Sequence, residues 1–263
     1  MTHLTEALHI PDTQSARDHR RLAIQRVGVK DVAWPLQLRV AGAVQSVAGR
    51  WSLDVALPAE VKGTHMSRFL AWLDALDAPL DAALLAQRHA DMLQRLGAQE
   101  GRIEAAFSFF LRKRAPVSGV ASMLDYQGRW ISETRAGVTM LWAEVSVPVK
   151  TLCPCSKEIS DYGAHNQRSR VTLRVQPLQP IEWHELVRVA EDEASSEIWP
   201  LLKRSDEKWV TERAYENPKF VEDLVRDVAL RLERDARVGH YVAEVENFES
   251  IHNHSAYARI ERT

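Results

Sequence analysis

Apolar residues near the start of the chain recur at every second position, the spacing of a strand with one face buried and the other exposed. Val27 and Val29 open this pattern and residues 34–40 and 44–55 continue it, with Gly42 and Gly49 as punctuation; Trp51, Leu53 and Val55 alternate most clearly. The period then changes. Residues 67–76 and 80–96 predict two helices, the second presenting Leu85, Met92, Leu93 and Leu96 on one face. Strands resume at 103–111 and 120–126, which read as one pair, and again at 138–149.

The second half repeats this order loosely. Residues 171–175 predict a strand, and 181–197 a helix in which Leu186, Val189, Ala190 and Ala194 share a face. A further helix is predicted over 218–235 from the spacing of Val221, Leu224, Val225, Val228 and Leu232, with Pro218 at an early helical position. Tyr241, Ala243 and Val245 then alternate with polar residues, as do Ala256, Ala258 and Ile260. Strand pairs enclosing helices, twice over, predict an α+β protein with helices on one face of an antiparallel sheet. The expected units are 21–148 and 149–263, with a boundary near residues 145–150, preceded by a polar, mobile N-terminal arm over 1–20.

Composition narrows the partners. Against 36 acidic side chains stand 34 basic ones, a net charge of -2, so no strong field favours nucleic acid or an anionic membrane. An anionic ligand must be met by a local cluster of cations. Apolar runs are short and interrupted by charge, and the opening residues lack the pattern of a secretory signal, so a cytoplasmic protein is expected. No glycine-rich phosphate loop occurs. The two cysteines, Cys153 and Cys155, flank a single proline; a disulfide between them would close a strained ring, so two thiols are expected.

Chemistry-bearing residues are densest between Thr151 and Arg168, where two thiols, His165, Lys157 and Arg168 share a stretch rich in Pro, Gly and Ser. Thiolate and neutral imidazole both suit zinc or a similar ion, and the spacing matches no zinc finger, so distant residues must complete any such site. Candidates for completion are Glu249, His252 and His254 near the C-terminus, where imidazoles two apart on a strand share a face, and Glu207, Glu212 and Glu222 before them. Glu222 also reads as a simple dipole partner at a helix start. Lys62, His65 and Arg68 gather ahead of a helix in a way that suits phosphate, with Thr64 or Ser67 as its cap.

Five motifs in order resemble the type IB branch of GTP cyclohydrolase I, from about Pro11 to the C-terminus. They are Lys62-Gly-Thr-His-Met-Ser-Arg-Phe, Cys153-Pro-Cys-Ser-Lys-Glu-Ile-Ser, Gly163-Ala-His-Asn-Gln-Arg168, Tyr215-Glu-Asn-Pro-Lys-Phe-Val-Glu-Asp223 and Glu249-Ser-Ile-His-Asn-His254. The resemblance implies a tunnelling fold of two tandem modules, homotetramers with active sites between subunits, and conversion of GTP and water to formate and 7,8-dihydroneopterin triphosphate for folate-type pterins. It also implies one divalent metal per site, held by Cys153, His165, Glu207 and His252, most of them in the second module. Cys153 is preferred over Cys155, and His252 over His254, by place in those motifs. By the same resemblance Glu222 anchors the guanine edge, and Lys62, His65, Arg68 and, more weakly, Arg168 contact the triphosphate. Cys153, His165 and Glu222 are the expected catalytic groups. Zn, Mn and Fe all suit mixed thiolate, imidazole and carboxylate ligation. Metal-bound water, its pKa lowered toward about 7, is expected to add at C8 of guanine. Two rival readings are a tunnelling-fold enzyme that attacks a pterin or deazapurine with a nucleophilic cysteine, and a binding protein with a structural zinc.

Overall fold

In the computed structural model, which describes Gln14 and residues 16–263, two Ala-Gly turns set the frame of the sheet. Ala41 and Gly42 (φ 49° and 77°) join strand β1 (Ile24–Val40) to β2 (Ala43–Leu57), and Ala136 and Gly137 (φ 50° and 77°) join β4 (Ala121–Arg135) to β5 (Val138–Leu152). Positive φ at both central residues gives a turn whose twist matches that of the flanking strands, and glycine tolerates the second position without strain. β3 (Gly101–Arg114), β6 (Asn166–Pro177), β8 (Val238–Asn247) and β9 (Ala256–Arg262) complete one antiparallel sheet in the order β1-β2-β3-β4-β5-β6-β8-β9. The two-residue β7 (Ser196–Glu197) pairs with β5 beside Val149 and Lys150.

Alternate residues of each strand bury against α1 (Met66–Asp74), α2 (Ala82–Leu96), α4 (Trp183–Glu193) and α6 (Val221–Glu233), forming a single core. Trp183 joins its two halves: its ring centroid lies 5.1 Å from Phe107, 5.6 Å from Phe109 and 5.0 Å from Trp130. No helix among the described residues is long and apolar enough to cross a membrane.

The strand-pair and helix order expected from the sequence is present, with several differences in extent. Residues 145–150, the expected boundary, lie inside β5, and the sheet runs through them without a break. One run of strand pair, helices and strand pair ends instead at the Ala136–Gly137 turn. β4 continues nine residues beyond the expected end at 126, because its polar second half is paired on both sides. Of the expected mobile arm, residues 1–13 and 15 lie outside the described residues. Its end is tied down: Asp18 N donates to Glu60 O at 2.9 Å and Lys62 N to Ala16 O at 3.1 Å.

The helix expected over 181–197 stops at Glu193 because the next residues are needed elsewhere. Ser195 Oγ accepts from Leu152 N, and the Glu197 carboxylate meets the buried Lys113 ammonium, which also bonds Glu191 at 2.7 Å. The helix expected from 218 starts at Val221, so Pro218 precedes it and is not part of its first turn. α3 (Pro154–Ile159) and α5 (Arg204–Glu216) were not expected; α5 buries only Asp206, Val210 and Ala214, a stripe too narrow for a clear apolar period.

Between α2 and β4, His89 is 1% exposed, with Nδ1 2.7 Å from Ser132 Oγ and Nε2 3.1 Å from Thr134 Oγ1. Burial pushes its pKa down from 6.5 to about 4, against weaker opposing pulls from Asp54 and Glu133. Above pH 6.5 the imidazole is neutral in folded and unfolded chains alike. As pH falls from there toward 4, the unfolded chain takes up a proton that the folded one resists. His89 is therefore expected to remove up to about 3 kcal/mol of stability across that window. Urea midpoints measured from pH 7 to pH 4 should fall more steeply for the parent than for His89→Gln; parallel profiles would refute the assignment.

Candidate active site

β5 and β6 converge on a short crossing built around Ser156. Cys153 N donates to His165 O at 3.1 Å, placing the thiol-bearing and imidazole-bearing residues side by side where the strands end. Ser156 Oγ donates to Cys153 O and accepts from His165 N, each at 3.2 Å, so one hydroxyl ties both residues to α3. Pro154 occupies the first turn of that helix, where its missing N–H costs nothing. Gly163, at φ 112°, turns the chain back in a conformation that side-chain-bearing residues rarely adopt. Both cysteines are free thiols, Cys153 half-buried and Cys155 exposed.

The C-terminal loop reaches the same place. Phe248 N donates to Arg168 O at 3.0 Å, and Ser250 Oγ lies 3.3 Å from His165 Nδ1, leaving Nε2 as the ring nitrogen without a partner among the described residues. That orienting contact comes from Ser250. Residues 248–255 form a loop between β8 and β9 and not the expected strand, yet His252 and His254 still lie together, their rings stacked with centroids 5.1 Å apart.

Glu222 starts α6 close by, because Lys219 N donates to Leu152 O, the residue before Cys153, at 3.1 Å. The cap of α6 is Asp223, whose carboxylate accepts from Phe220 N at 3.0 Å. The Glu222 carboxylate is exposed and, among the described residues, makes no hydrogen bond or ion pair. Both Glu222 and Asp223 lie in the first turn of α6, so the dipole-partner reading of Glu222 stands, while the side-chain cap is Asp223 alone.

Glu207 sits exposed in the first turn of α5. The helix start is held by Asp206, 0% exposed, which accepts from Val117 N (2.9 Å), Ser118 N (2.8 Å), Ser118 Oγ (2.6 Å) and Lys203 N (2.8 Å). Glu212 faces Lys208 on the surface. Among the described residues no three His, Cys, Asp or Glu side chains gather closely enough to hold a metal. One chain thus pairs Cys153 with His165 through the backbone and brings up the His252 loop, but its described residues do not gather the four expected ligands as a set.

Lys62, His65 and Arg68 lie apart, at the start of α1, which packs on β1 and α2. His65 occupies the cap position without a side-chain capping bond, so neither Thr64 nor Ser67 serves as the cap. Arg68 Nη1 donates to Arg95 O at 3.2 Å. Four strand spacings separate β1 from β5, about 19 Å across the sheet. Arg168 is exposed on β6, directly opposite Lys150 of β5. Sequence reasoning missed Ser156, Ser250, Asp206 and Lys150. Lys150 carried a signal, as a cation on the polar face of a strand three residues before Cys153.

A family model described as type I GTP cyclohydrolase folE2 matches residues 10–258. The chain belongs to that family. Among relatives of this cyclohydrolase family member, GTP cyclohydrolase FolE2 of Methylibium petroleiphilum is 63% identical over 285 residues, covering 97% of this chain and 96% of the relative. The protein of the same name from Paraburkholderia xenovorans is 59% identical over 263 residues, covering 100% and 98%. Solved structures of similar shape include uricase from Arthrobacter globiformis, with a TM-score of 0.50 at 9% identity over 90% of this chain and 93% of that one. A hyperthermostable urate oxidase from Bacillus sp. TB-90 gives 0.53 at 8% identity, over 91% and 99%. At such identities the likeness is one of fold, and the cyclohydrolase has the tunnelling fold that these chains share.

Proposed function

We propose that this protein converts GTP and water to formate and 7,8-dihydroneopterin triphosphate, the entry step to folate-type pterins. The observation that carries the reading is the Cys153–His165 backbone pair at 3.1 Å, with the His252 loop against it, in a chain matched almost throughout by the cyclohydrolase family.

The donor chemistry fits a divalent cation. The half-buried Cys153 thiol makes no hydrogen bond among the described residues, and His165 has one ring nitrogen held by a hydroxyl and the other free. Cys153, His165, Glu207 and His252 are the proposed ligands of one ion per site, zinc, manganese or iron. When bound, such an ion supplies Lewis acidity and lowers the pKa of water toward about 7. Ser250 keeps the His165 ring from rotating, and Ser156 fixes the spacing of the two residues. Glu222 offers two acceptor oxygens to the N1–H and amino group of guanine. Adenine, which presents an acceptor at N1, is refused because it would leave a polar pair unmatched.

The site is proposed to close in a cytoplasmic homotetramer. Among the described residues β1 and β9 each pair on one side only, leaving two sheet edges for other copies to extend. The distance between the Lys62, His65 and Arg68 group and Cys153 in one chain is then bridged by a neighbouring subunit, whose Lys62, His65 and Arg68 hold the triphosphate together with Arg168 beside Cys153.

Incubating the purified protein with GTP and defined divalent metals, followed by product analysis, tests the reading. Formate and a pterin triphosphate in equal amounts are expected. Unchanged GTP under every metal would overturn it.

A further inference from the structure

The sheet face turned away from the helices carries a ladder of charges in which cations are met by carboxylates. Arg26 bonds Asp54 at 3.0 Å, Arg102 bonds Glu133 at 2.8 Å, Arg129 bonds Glu104 at 2.9 Å, and Arg174 bonds Glu144 at 2.8 Å. Arg170 lies 3.8 Å from Glu246. Arg39, Arg50 and Arg112 on this face have no carboxylate partner among the described residues, but they are exposed.

The rung made by Lys150 and Arg168 is different. The two are direct antiparallel partners, so both side chains leave the same face of the sheet next to each other. Among the described residues neither side chain has a hydrogen bond or an ion pair. Lys150 is half-buried, and burial pushes its pKa down with no carboxylate opposing the shift. Like charges facing across a strand pair repel, and partial loss of water adds to the cost. An anion seated between them relieves both.

The position of the rung says which anion. It lies three residues before Cys153 on β5 and three after His165 on β6, about 10 Å along the strands from that pair. An extended ribose triphosphate covers that span when its purine lies at Cys153 and His165. We propose that Lys150, acting with Arg168, is a substrate-binding residue that seats phosphate oxygens of the nucleotide. This rests on the proposed GTP reading and adds to it a cation that sets how the nucleotide lies along β5.

The test compares the full-length parent with Lys150→Met, Lys150→Arg, Arg168→Gln and, as a control from the same face, Arg50→Gln. Formate release is followed against GTP concentration, and thermal melting with and without inorganic tripolyphosphate. Lys150→Met is expected to raise KM for GTP at least about tenfold with kcat within about twofold, the signature of lost uniform binding. Tripolyphosphate should raise the Tm of the parent and of Arg50→Gln but not of Lys150→Met, and Lys150→Arg should recover most of both effects. Should Lys150→Met fail to fold, Arg168→Gln, altered at an exposed position, is expected to show the same loss. An unchanged KM with unchanged tripolyphosphate stabilisation overturns the proposal. So does a changed oligomeric state with intact tripolyphosphate binding, which would make the rung a contact for another copy's carboxylate. A parent that leaves GTP unchanged defeats the GTP reading alone, because the tripolyphosphate comparison still judges the rung.

Discussion

Cys153→Ala and His165→Ala are each expected to lower formate release from GTP by on the order of a thousandfold, about 4 kcal/mol of transition-state stabilisation, while the chain stays folded. Neither side chain belongs to the buried core, and apart from the exposed Ser250 Oγ–His165 Nδ1 contact the hydrogen bonds that shape this corner run through the backbone of both residues and through Ser156 Oγ. Elemental analysis should show bound metal reduced in both variants. Cys155→Ala is the control: its thiol is exposed, so activity and metal content should stay near those of the parent. If both primary variants remain active, the reaction lies elsewhere. Chelation separates the rival chemistries. Loss of formate release with the fold intact fits a catalytic ion, retained activity fits a cysteine nucleophile, and unfolding fits a structural zinc.

Glu222→Gln is expected to cost at least about a hundredfold in kcat/KM for GTP, because the amide turns an N–H donor toward guanine donors and leaves a polar pair unmatched. Stability should hardly move, since Asp223 is the residue that caps α6 and the Glu222 carboxylate has no partner among the described residues. Steady-state kinetics with GTP, alongside a urea melt, decide it. A variant that keeps its kcat/KM, or one that loses stability and activity in step, would return Glu222 to the role of a helix-end charge.

Much of the fold was legible because its periods are strong. Trp51, Leu53 and Val55 alternate, and all three are buried; Val221, Leu224, Val225, Val228 and Leu232 follow the helical period, and all five are buried. α5 was not legible because its apolar stripe is only Val210 and Ala214, and its start is held by a polar contact, Asp206 hydrogen-bonded to Val117 and Ser118. The end of α4 was hidden for a similar reason. Residues 194–197 have good helical spacing, but Glu197 is claimed by Lys113, 84 positions earlier in the chain, and a buried ammonium needs a carboxylate more than the helix needs another turn.

Residue types and their spacing by themselves determined most of the strand and helix order and carried the motifs that resemble the family, because these follow from local period and local motif; the proposed metal ligands come from that resemblance. Only the tertiary structure decided that Ser250 meets His165, that Asp223 and not Glu222 caps α6, and that Lys150 stands opposite Arg168 without a counter-charge among the described residues. Each of these is a pairing between groups whose positions the fold assigns. Hydrogen bonds and charge interactions act over a few ångströms, so which groups satisfy one another is settled only once the sheet register and the loops bring them within reach.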